Sequence, residues 1–157
     1  MAGVFNLTTP RDLLAKLTRE LDRLRAEPDN VDHAFNFFTT AEHMLDWLYP
    51  GDAGKSHRRQ LRKVEPLLAT VSHLASGAKH FDHLSSHHES VQRTARKAGV
   101  WAKGFWAPGV WGKGFWAEPQ LSITLSGPAL ANLGQTITAV ELAEKVHDYW
   151  MFPGRVP

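Results

Sequence analysis

A mainly α-helical domain, interrupted late by a β-ribbon and strand and closed by a C-terminal helix, is the fold this sequence predicts. Three observations carry that expectation. Long stretches before residue 98 repeat apolar residues at helical spacing between recognisable start and stop signals. After Lys97 the composition turns abruptly to glycine and tryptophan, and glycine disfavours helix. Beyond that segment, "PQLSITLSG" alternates apolar residues with a period of two, and "TAVELAEKVHDYWMF" returns to the helical period. The reading is one domain of 157 residues: a bundle over 1–98, a repeat over 99–118 and strand plus closing helix over 119–157, with four to five helices in all.

The first helix starts at Thr9 as N-cap with Pro10 in the first turn, and Leu13, Leu14, Leu17, Leu21 and Leu24 share its apolar face. The second is started by Asn30 or Asp32 and stopped by Pro50-Gly51. Its broad apolar face (Ala34, Phe37, Phe38, Ala41, Met44, Leu45, Leu48) suits a central helix with more than one neighbour, and His43 and Asp46 fall on the opposite side. Ser56 is the expected cap of a third, basic helix, which Pro66 must end because proline is costly in a helix interior. From Glu65-Pro66 a fourth helix is expected, with Leu67, Val71, Leu74, Ala75, Ala78 and Phe81 as its buried stripe. The strand over Leu121, Ile123 and Leu125 precedes a second short strand in "GQTIT". Thr138 and Glu141 then form a capping box for the last helix, whose stripe is Val140, Ala143, Val146 and Trp150.

Composition excludes several kinds of chemistry. There is no cysteine, so no disulfide, thiolate metal site or cysteine nucleophile exists here. Residues 1–12 show neither a basic start nor an apolar run, so no signal peptide is expected. No apolar run approaches the roughly 20 residues needed to cross a bilayer, and the expected location is the cytoplasm. A formal net charge of +2 gives no argument for a nucleic-acid partner by itself. The charge is nevertheless uneven: "KSHRRQLRK" (55–63) and "RTARK" (93–97) are basic patches, expected as solvated helix faces. Walker, Gly-x-Gly-x-x-Gly and Gly-x-Ser-x-Gly patterns are missing, so no cofactor is expected.

The segment "GVWAKGFWAPGVWGKGFWAE" (99–118) is a tandem decapeptide whose halves differ only at Ala102/Gly112 and Pro108/Glu118. Pro108-Gly109 suits a type II turn. A hairpin closing there sets Trp106 opposite Trp111 and Trp101 opposite Trp116, on opposite faces because the spacing of five is odd. Cross-strand aromatic pairs contribute roughly 0.2–1 kcal/mol each. Together with Lys103 and Lys113, these four tryptophans are the candidate interface, for a second copy or for an RNA or protein partner.

The nine histidines carry the remaining readings. His73, His80 and His87 recur every seven residues, joined at the edge by His83, on a face opposite the Leu67/Val71/Ala78 stripe. Surface imidazoles are the simplest expectation. If a metal is bound, His80, His83 and His87 are its ligands, with His43 or His147 completing the shell. In "LASGAKHF" (74–81), Lys79 beside His80 supplies a cation and an acid–base group. "FNFFTTAEHMLDWLY" followed by "LASGAKHF" resembles the HEPN superfamily over about residues 30–90. That resemblance implies a small helical bundle and metal-independent RNA cleavage, with His80 as catalytic residue assisted by Lys79 or His43. The superfamily's arginine, separated from the histidine by four to six residues, is absent, and His73, separated from His80 by six residues, stands nearest to its place. An inactive relative is therefore implied as readily as a nuclease. The leading expectation is a non-enzymatic, homo-oligomeric binding or assembly module that uses the tryptophan ribbon.

Overall fold

The computed structural model describes residues 5–79, 89–98 and 119–157. Among them are six helices and a three-stranded antiparallel sheet, in the order α1 (Pro10–Ala26), α2 (Val31–Leu48), α3 (Lys55–Val64), α4 (Pro66–Lys79), β1 (Val91–Lys97), β2 (Gln120–Leu125), α5 (Gly127–Leu133), β3 (Thr136–Thr138) and α6 (Ala139–Met151). The expected class, a helical bundle with a β element before the last helix, is what the chain adopts.

Helix α1 begins as expected. The Thr9 hydroxyl accepts from the Asp12 N–H, and the Asp12 carboxylate accepts from the Thr9 N–H at 2.8 Å, a complete capping box. Asn30 caps α2 by accepting from the N–H groups of Asp32 and His33. Thr138 and Glu141 close the α6 box. The body of the core is Leu13, Leu17, Leu21 and Leu24 of α1 against Phe37, Met44 and Leu45 of α2 and Leu142 and Val146 of α6. Helix α2 is central: it packs against α1, α4 and α6. A part-buried ion pair on α1, centred on the buried Glu20, reinforces the seam with α2. Lys16 Nζ donates to Glu20 Oε1 at 2.9 Å and to Thr40 Oγ1 at 2.8 Å, and Arg23 reaches Glu20 at 3.1 Å.

Strand β2 is the centre of the sheet, ordered β1-β2-β3. It pairs with β1 from Arg93↔Thr124 to Lys97↔Gln120, after a bulge between Val91 and Arg93, and with β3 from Ser122↔Thr138 to Thr124↔Thr136. The sheet packs on α6, α4 and α5, burying Ile123, Leu125 and Ile137 in the common core.

Several expectations need correction. Helix α3 starts at Lys55, not after a Ser56 cap; Gly54 is its N-cap and no side chain caps it. The basic run 93–97 is a strand, not a helix face. Among the described side chains of α4 the buried ones are Leu68, Thr70, Val71 and His73, while Leu67, Leu74 and Ala75 are half-buried; the side chain of Ala78 and the whole of Phe81 lie outside the description. The stripe is turned toward His73 because β1, which carries little apolar signal, packs on that side. Helix α5 was not expected at all. Pro128 in its first turn and Gly134 at φ +85° after its end bound a helix too short to show a period. Among the described residues no helix is long and apolar enough to cross a membrane.

Candidate binding surfaces

Two concave surfaces stand out, one beside the β1–β2 ladder and one along α3.

The first follows from how the ladder is held. At its outgoing end Arg96 pairs with Asp29, and the Leu121 N–H donates to the Pro28 carbonyl at 3.2 Å, so both strands are tied to the α1–α2 connection. At its other end the Val91 N–H donates to His73 Nδ1 at 3.0 Å, which places a neutral imidazole's proton on Nε2. Between these anchors, Phe35, Phe38, Leu74 and Gly77 face Val91 and Ala95 across an apolar groove of about 620 Å³. Phe35 and Val31, which also line it, remain 46% and 61% exposed.

The second surface is a groove of about 690 Å³ between α3 and the flank of α4, lined by Lys55, Arg58, Arg59, Arg62 and Lys63 with Ser72 and Asp46. Two of the cations are locked in place. Arg58 Nε meets Asp46 at 3.0 Å, and its guanidinium also donates to the Gly51 carbonyl at 3.0 Å and to that of Tyr49. Arg62 pairs with Glu42, whose carboxylate also accepts from Ser72 at 3.3 Å. Burial pushes the Glu42 carboxyl above the usual range, more than Arg62 and Ser72 draw it down. Glycine is required where α3 begins, because a Cβ at Gly54 would run into the Tyr49 carbonyl.

The candidate residues read from the sequence separate into three groups. His43 is exposed on α2, as expected from its helical phase. His147 is half-buried, its Nε2 2.9 Å from the Thr18 hydroxyl; burial lowers its pKa, while Asp148 acts in the opposite sense. It lies on the α1–α6 seam. His73, expected on a solvated face, is buried at 8% exposure and holds β1. Lys79 ends α4, its side chain outside the description, and His80, His83, His87, Trp101, Lys103, Trp106, Trp111, Lys113 and Trp116 lie outside the described residues. Among those described, no cluster of three or more His, Asp or Glu is placed to hold a metal ion. Burial pushes the Glu20 carboxyl up, but Lys16 and Arg23 outweigh it and hold the group below its ordinary value, which marks a structural ion pair.

The arginine groove was half legible: its charge was plain in "KSHRRQLRK", its concavity was not. No protein family, curated protein or solved structure matches the chain.

Proposed function

We propose that the protein is a binding and assembly module in which residues 98–119 continue the β1–β2 ladder as a tryptophan-bearing ribbon that meets a second copy of the chain. The register of the ladder supports this reading. Its last pair is Lys97↔Gln120. Stepping outward in the same register, one residue on each side, sets Trp101 opposite Trp116 and Trp106 opposite Trp111 and centres the turn between Pro108 and Gly109. That is the register in which the tandem repeat, taken alone, pairs its tryptophans. The agreement is a coincidence of two independent facts, the length of the insertion and the pairing of the flanking strands.

A second copy is the favoured occupant because the two halves of the repeat present the same side chains. An isologous two-fold contact needs a self-complementary patch, and indole rings stack or meet edge-to-face well with one another. Exposed Val31 and Phe35 lie on the helix that follows the Pro28–Asp29 anchor, so apolar surface is at hand near the ribbon's base.

The test replaces residues 98–119 with Asn-Gly, a two-residue turn that suits closure of the Lys97↔Gln120 pair. Sedimentation velocity is run on both proteins, with circular dichroism to check the fold. An oligomeric parent and a folded, monomeric variant support the reading. Equal association of both proteins, or a monomeric parent, contradicts it.

A further inference from the structure

We infer that the α3 groove is a binding site for the phosphodiester backbone of a single nucleic-acid strand, separate from the tryptophan ribbon and resting on residues the structure describes. The inference begins with an imbalance. Helix α3, "KSHRRQLRKV", contains no acidic residue, buries none of its side chains fully and has no side-chain cap. Lys55 sits in its first turn, where a cation opposes the helix dipole. Lys55, Arg59 and Lys63 follow one another at i, i+4 and i+8, and like charges at that spacing are mutually destabilising. At 100° per residue all five cations fall in an arc of about 140°, and all five line the groove. A helix that merely solvates its outer face has no reason to gather every charge over a concavity.

The two rows differ in role. Arg58 and Arg62 are pinned by Asp46 and Glu42, so those carboxylates are neutralised at the groove wall. Lys55, Arg59 and Lys63 make no ion pair with a described carboxylate, and all three are exposed. They are the surplus, spaced about 6 Å apart along the helix axis. A regular row of cations at that spacing matches the successive phosphates of one strand. Apart from Ala69 the lining residues are all charged or polar, with no large apolar side chain to hold a peptide anchor, which argues against a peptide ligand, since peptides are anchored by buried side chains. Nothing in the lining is set to read a base, so binding is expected to be independent of sequence.

The test is fluorescence anisotropy of the full chain with a labelled oligothymidylate of about 12 nucleotides, a length within the range of compact single-strand sites. Affinity is followed against salt. The expected result is binding that weakens steeply with salt, and for the combined Lys55→Gln, Arg59→Gln and Lys63→Gln variant a loss of at least about tenfold, with the log–log salt slope shallower by about 2. Unfolding curves confirm that the variant is folded. The Asn-Gly ribbon variant, which removes the four tryptophans of the repeat, should keep the salt slope. Inorganic phosphate should compete only weakly, because it occupies one position of the row. The inference is overturned if the triple variant binds with unchanged affinity and slope, if the parent does not bind, if the ribbon variant alone abolishes binding, or if polyglutamate competes as well as unlabelled oligonucleotide.

Discussion

Helices α1 and α3 are built on opposite rules. Helix α1 has a full capping box, an acid in its first turn, Arg23 and Arg25 in its last, and four leucines in the core. Each of these features stabilises the helix where it stands. Helix α3 shares only the basic last turn, in Arg62 and Lys63; no side chain caps its start at Gly54, its first turn holds no acid and none of its side chains is fully buried. It is held from outside, by Asp46 and Glu42 of α2 and by the carbonyls of Tyr49 and Gly51. The contrast teaches which segment serves the fold and which uses it. A sequence that spends its stabilising residues on α1 and withholds them from α3 keeps the α3 face for something other than folding.

The largest effects are expected in the core that α1 completes. Phe37 is fully buried in the centre of α2, and Phe37→Ala should lower the unfolding free energy by about 3–5 kcal/mol, read from urea denaturation. His73→Ala should cost about 1–3 kcal/mol by leaving the Val91 N–H without that acceptor, with faster amide exchange in β1 than in α1. Removing the α1 cap with Thr9→Ala should cost about 1 kcal/mol. At the small end, Lys55→Gln and Arg59→Gln should each leave stability unchanged or raise it by about 0.2–0.5 kcal/mol, by relieving like-charge pairs, whereas in Lys63→Gln that relief is offset by loss of a cation from the last turn and the net change should be near zero. A clear loss from these three would mean that the α3 face is part of the fold after all.

Acid offers a separate probe of the α1–α6 seam. The His147 imidazole is held below its ordinary pKa, so the folded state prefers it neutral. The unfolded chain takes up the proton first, and this contribution is complete above about pH 6.5 and lost as pH falls through that value toward the folded one. Glu42, held above its ordinary value, acts in the other direction at lower pH, where the folded state is the better proton acceptor. The fall in the urea midpoint between about pH 7.5 and pH 5.5 should therefore be smaller in His147→Gln than in the parent.

Much of this architecture was legible from residues alone because helix caps and apolar stripes are local. Thr9, Asn30, Pro66 and the Thr138–Glu141 pair mark the observed boundaries within a residue or two. Strand β1 was not legible. Only Val91 and Ala95 are even half-buried, and its order comes from the ladder with β2, the His73 acceptor and the Arg96–Asp29 pair, all distant in sequence. The misassigned phase of α4 has the same origin, since the neighbour that buries His73 is β1. For the binding surfaces, charge was readable and shape was not. "KSHRRQLRK" announced cations, but their convergence over a groove depends on how α3 folds back against α4 and α2.

Coupled indoles report directly on whether the β1–β2 register continues through the repeat as proposed. Far-ultraviolet circular dichroism of the parent should show an exciton couplet from paired tryptophans. Trp106→Leu and Trp111→Leu should remove the same part of that couplet, with no further loss when combined, and Trp101→Leu and Trp116→Leu should behave likewise as a second pair. Absence of any couplet, or non-additive loss between Trp101 and Trp106 instead, would contradict the register and with it the ribbon.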